Sequence, residues 1–169
     1  MRELLLVRHG LVHNPEGASY GRLPGFHLSE RGRREAATTA AFLAFLPPGK
    51  VYHSPLERTA ETAAIVAAPH GAPLLADDRL IEDDGSEPPE EVAARMRSFW
   101  EDWVAYGTQR DFAVSHREPI RALLLHLAGM DVAECLRDLR HFPLETAGVY
   151  RVRLDGSTPR IEWLYEPRA

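Results

Sequence analysis

The chain has 169 residues, 44% hydrophobic and 27% charged, with a formal net charge of −5. That size and balance fit one globular domain over residues 1–169 and exclude broad basic binding to nucleic acid or to an acidic membrane surface. A single cysteine, Cys135, excludes an intrachain disulfide and a cysteine metal cluster, and the one lysine beside 19 arginines, Lys50, sits in the loop-like PPGKV rather than in a Schiff-base setting.

The first element is ELLLV (3–7), an apolar run that reads as a buried strand. It is too short for the core of a secretory signal, and no apolar run approaches the ~20 residues needed to span a bilayer. The expected compartment is therefore the cytoplasm, with no membrane partner. Residues 11–28, rich in Gly, Pro, Asn and His, read as a loop. A helix is expected over 29–46 with Ser29 as N-cap, stopped by PPG. KVYH (50–53) is a short strand. SPLERTAETAAIVAA (54–68) is a helix with Ser54 as N-cap and Pro55 in its first turn.

Residues 69–88 read as irregular and end in the acidic cluster EDDGSEPPEE; residues 90–106 form an amphipathic helix in which Phe99, Trp100 and Trp103 are spaced for the core. DFAVS (111–115) is a strand, 118–129 a helix ended by Gly129, and 131–139 a short helix. GVYRVRL (148–154) and RIEWLYE (160–166) form a terminal hairpin around DGSTP. Alternating strands and helices predict a three-layer α/β/α sandwich with a mostly parallel central sheet. In such sheets ligands bind beyond the carboxyl ends of the strands.

Two stretches point at that edge. In LLLVRHG (4–10) an apolar strand delivers Arg8 and His9 and then breaks at Gly10; in FAVSHRE (112–118) another strand delivers His116 and then enters a helix. If the strands are parallel and central, the two imidazoles emerge together. Arg58 lies in the first turn of a helix that also follows a strand. Guanidinium forks and helix N-termini both suit anions, so Arg8, Arg58, His9 and His116 describe a pocket for a dianionic phosphoryl group.

VRHG (7–10), LSERG (28–32), SPLERTAET (54–62) and VSHREPIRALL (114–124), in that order, resemble the histidine phosphatase superfamily, the phosphoglycerate-mutase-like fold. The resemblance implies that His9 attacks phosphorus and forms a phosphohistidine, while Arg8, Arg58 and His116 surround the transferred group. Asn14 stands where the family often has a further phosphoryl contact. A carboxylate after the second helix protonates the leaving oxygen; Glu82, in RLIEDDG, occupies that place, with Asp83, Asp84 and Glu87 as alternatives. With arginines neutralising the charge, neither metal nor cofactor is required.

The chain departs from the family at Leu11, where an acidic residue is common, and at Arg117, where glycine is common. The segment that usually follows the acid is replaced by GSEPPEE. Arg117 either reaches substrate or lies on its helix surface; Arg22, with His13 and His27, is a candidate substrate contact from the 11–28 loop. The resulting expectation is a metal-independent phosphomonoesterase acting on a small phosphorylated substrate. A phosphoglycerate-type mutase and a non-catalytic phosphate-binding module are the alternatives, and the oligomeric state is left open.

Overall fold

The computed structural model of the chain describes residues 1–167. In chain order the elements are β1 (Arg2–Arg8), α1 (Glu30–Leu43), β2 (Val51–His53), α2 (Glu57–Ala67), β3 (Leu74–Ala76), a 3-10 turn (Asp78–Leu80), α3 (Pro89–Tyr106), β4 (Arg110–Ser115), α4 (Arg117–Leu127), α5 (Val132–Cys135), β5 (Val149–Asp155) and β6 (Thr158–Tyr165). They build one six-stranded sheet in the order β3-β2-β4-β1-β5-β6. The first four of these strands are parallel, and β5 and β6 close one side as an antiparallel hairpin.

Strand alternation sorts the core into two layers. Leu4 and Leu6 of β1 pack with Met96, Phe99, Trp100 and Trp103 of α3 and with Ile120, Leu123 and Leu124 of α4. Leu5 and Val7 face the other way, onto Ala40 and Leu43 of α1 and Ala63 and Val66 of α2. Leu4 through Val7 have no exposed surface. The three-layer sandwich expected from the alternating pattern is therefore the observed one.

Four local expectations need correction. Ser54 is not the N-cap of α2; Leu56 is, and its side chain makes no cap hydrogen bond. The Ser54 hydroxyl instead bonds His116 Nε2 at 2.9 Å, so α2 starts two residues after Pro55. The span 69–88 is not wholly irregular: β3 adds an edge strand beside β2. Three exposed residues offer no readable alternation. The helix expected over 131–139 stops at Cys135. Beyond it, the carbonyls of Leu136, Asp138 and His141 accept from the buried Arg121 guanidinium and so leave the helical pattern. The helix expected over 29–46 ends at Leu43, its Ser29 cap as expected.

Candidate active site

Parallel pairing of β1 and β4 sets Arg8 opposite Ser115. The next residue on each strand is a histidine, and the two rings meet edge to face with centroids 5.2 Å apart. Both are buried, His9 with 3% and His116 with 0% of its surface exposed.

Position 10, just beyond β1, is glycine for a steric reason. A Cβ there would collide with the Gly32 carbonyl oxygen, and a Cβ at Gly32 would collide with the Leu11 carbonyl. The start of α1 is thus pressed backbone to backbone against the residues that follow His9. The turn also aims the Gly10 carbonyl at His9 Nδ1, 2.7 Å away. A carbonyl only accepts, so Nδ1 carries the proton and Nε2 keeps a free lone pair. Burial, with Arg8 and Arg58 nearby, lowers the His9 pKa to about 3, outweighing the Gly10 hydrogen bond. The ring is neutral at physiological pH.

Arg8 donates from Nη1 to the Leu144 carbonyl at 2.7 Å. Arg58, fully buried, donates from Nη2 to the Gly21 carbonyl at 2.7 Å and lies 4.8 Å over the Tyr20 ring. Burial lowers both arginine pKa values. Arg8 Nε, Arg58 Nε and Nη1, and His116 Nδ1 are buried without a hydrogen-bond partner among the described residues. Orphaned buried donors cost about 1–3 kcal/mol each. The three guanidinium nitrogens among them belong to the arginines whose charges act on His9, and they suit an anion rich in acceptor oxygens.

Glu82 completes the ring. Its Oε2 lies 3.6 Å from His116 Nδ1, and its Oε1 accepts the Asp83 N–H at 2.9 Å. Burial raises its pKa to about 7, against the lowering effects of that N–H and of Arg58. Neighbouring acids differ. The Ser86 hydroxyl and N–H hold Asp84 below its ordinary range, and Arg95 does the same for Glu87. Asp83 accepts the Gly85 N–H.

A cavity of about 380 Å³ opens on this group, lined among others by Arg8, His9, Tyr20, Glu82, Asp83 and Arg117. Four expected contacts are not on its wall: Arg58 and His116, which are fully buried, and Asn14 and Arg22. Asn14 spends its amide on both backbone groups of Ala18, and Ala18 itself lines the cavity. Arg22 clamps the acid loop, donating to the Glu82 carbonyl at 2.6 Å and to Glu87 at 2.8 Å. Both shape the site from behind. Lys50 lies before β2, at the opposite end of the sheet. Three positioning groups were not anticipated. Ser54 reads as a cap, Thr62 bonds the Gly10 N–H from one turn beyond Arg58, and Tyr20 is marked only by being an aromatic in a glycine-rich loop.

Ligand atoms of His9, Glu82 and His116 lie within 4.8 Å of one another. By residue type that set could hold a divalent cation, but Arg8 and Arg58 bring two fixed positive charges to the same space.

The model of the histidine phosphatase superfamily (branch 1) matches residues 4–86 and 82–167. An uncharacterized protein of Mycobacterium tuberculosis, Rv0525, is 37% identical over 156 residues, covering 73% of this chain and 77% of its own. Phosphoserine phosphatase 1 of Hydrogenobacter thermophilus is 29% identical over 169 residues, covering 79% and 80%. Among solved structures, the mycobacterial glucosyl-3-phosphoglycerate phosphatase complexed with VO3 superposes with a TM-score of 0.79 at 22% identity, covering 99% of this chain and all of that one.

Proposed function

The chain belongs to the histidine phosphatase superfamily, and from that premise we propose that it is a metal-independent phosphomonoesterase working through a phosphohistidine on a small phosphorylated substrate. The carrying observation is the neutral His9 ring, its Nε2 freed by the Nδ1–Gly10 bond, beside Arg8 and Arg58, whose buried guanidinium N–H groups keep donors without a partner among the described residues. Phosphatase names among the relatives support the same reading.

In the first step the Nε2 lone pair forms a bond to phosphorus while the bond to the ester oxygen breaks. The Glu82 carboxyl gives its proton to the departing alkoxide. Arg8, Arg58 and His116 meet the charge spread over the equatorial oxygens; one preorganised donor of this kind is worth about 3–4 kcal/mol. In the second step the Glu82 carboxylate takes a proton from water, the resulting oxygen attacks phosphorus, and the N–P bond breaks. Throughout, Nδ1–H stays on the Gly10 carbonyl, which stabilises the cationic ring of the intermediate. Residues 83–88 alone separate Glu82 from α3, which leaves little chain to shield the intermediate from water and favours hydrolysis over transfer to a second hydroxyl.

Rapid quench during turnover of an aryl phosphate should trap an acid-labile phosphoryl adduct, and His9→Ala should abolish both adduct and turnover. Sustained turnover by His9→Ala would place the nucleophile elsewhere.

A further inference from the structure

Arg117 is the residue the mechanism leaves unused. It lines the phosphoryl cavity of about 380 Å³, a second cavity of the same size, and a small one of about 80 Å³. The second cavity shares Asp83, Gly85, Arg117 and Glu118 with the first. Glu82 has to reach the ester oxygen, so the departing alcohol lies toward the Asp83–Gly85 wall. That is where the second cavity begins.

Arg117 is tethered on one side. Its Nε donates to Glu118 Oε1 at 2.8 Å, while Glu118 Oε2 accepts Nη1 of Arg121 at 3.0 Å. Arg121 is fully buried and tied to three backbone carbonyls. The chain of contacts orients the Nε side of Arg117, and its two Nη groups make no hydrogen bond among the described residues. The side chain keeps 42% of its surface exposed. A third cation this close to Arg8 is unfavourable by itself; its field is one of the causes that lower the Arg8 pKa, after burial. The phosphoryl group already has two arginines and two imidazoles.

Building on the phosphomonoesterase reading, we infer that Arg117 binds a carboxylate on the alcohol portion of the substrate, which selects phosphate esters of hydroxy acids. A guanidinium fork matches a carboxylate in shape. The flanking Asp83 and Glu118 make this position suit a singly charged anion better than a second phosphate.

Matched pairs test the assignment: 3-phosphoglycerate against glycerol 3-phosphate, and O-phosphoserine against O-phosphoethanolamine. Wild type should prefer the carboxylated member of each pair. Arg117→Gln should lower the ratio of the two kcat/KM values by roughly 10- to 100-fold, the range for a charge-assisted hydrogen bond, and Arg117→Lys should restore part of it. Because the readout is a ratio within one preparation, it is insensitive to the fraction of folded enzyme. A ratio unchanged in Arg117→Gln, with aryl phosphate still hydrolysed by wild type, overturns the carboxylate assignment and leaves the phosphatase reading intact. If wild type turns over no ester, the phosphatase reading fails. Calorimetry with the same four compounds then decides the carboxylate site: equal binding within each pair refutes it, and a carboxylate preference lost in Arg117→Gln supports it.

Discussion

Replacing Glu82 by Gln should stabilise the protein at alkaline pH while disabling it. The carboxyl is moved from an ordinary 4.5 to about 7, chiefly by burial. An acid whose folded pKa is raised takes up a proton on folding between those two values. Stability therefore falls as pH rises from about 4.5 to 7, and the penalty is complete above 7. At 1.36 kcal/mol per pKa unit the displacement corresponds to roughly 3 kcal/mol. With 18% of the side chain still in contact with solvent, about 2–3 kcal/mol is the realistic range. Glutamine carries no charge at either pH, so Glu82→Gln escapes the penalty. Lost contacts of the carboxylate, such as the Asp83 N–H, complicate any single measurement. The difference between pH 8 and pH 5 largely removes them. Urea denaturation of both proteins at the two pH values should give a mutant-minus-wild-type stability about 2–3 kcal/mol more favourable at pH 8. The low His9 and His116 pKa values, also due first to burial, destabilise both proteins toward acid and largely drop out of the comparison. A pH-independent difference would refute the claim that Glu82 is held protonated by its surroundings.

The same substitution should impair alkyl phosphates far more than nitrophenyl phosphate, because general acid catalysis contributes about 10²–10⁴-fold mainly where the leaving group is poor. Equivalent substitutions at Asp83, Asp84 and Glu87 should lack this leaving-group dependence; finding it at one of them and not at Glu82 would move the acid along the loop. Hydrolysis should survive EDTA, since two arginines occupy the electrostatic role of a cation beside His9, Glu82 and His116. Loss of activity in chelator, restored by a divalent ion, would refute the metal-free mechanism.

The parts of this site that can be read from sequence are those whose signal is local. An apolar run ending in histidine marks β1 and β4 without knowledge of the rest of the chain, and parallel pairing then brings His9 and His116 together. Arg58 is legible because a helix following a strand has its N-terminus at the same edge. What failed depends on distant partners. Ser54 before Pro55 has every mark of a cap, yet its hydroxyl is taken by His116, 62 residues away. Nothing in SERGRRE reveals that Gly32 is required by backbone contact with residues 10 and 11. Arg121 reads as one polar residue on an apolar helix. Its three carbonyl partners come from a loop that its own hydrogen bonds bend out of a helix. Asn14 and Arg22 lie in a segment whose composition says loop, but composition does not say where a side chain spends its donors.

These observations also explain why the polar centre is so deeply buried. Water would satisfy Arg8, Arg58 and His116 at no cost, and in water His9 would be partly protonated and Glu82 ionised at neutral pH. Neither state performs the proposed first step, which needs a neutral ring and a protonated acid together. Burial depresses the imidazole and raises the carboxyl at once, so one physical cause sets both groups in their working states. The same burial leaves guanidinium N–H groups without a protein acceptor among the described residues. A phosphoryl group bound there supplies acceptors to those donors, and its gain is largest where charge on the equatorial oxygens is greatest. The apolar layers around β1 and β4 are therefore part of the chemistry: they carry the free-energy cost of burying a polar cluster, and that burial keeps the pKa values of His9 and Glu82 displaced.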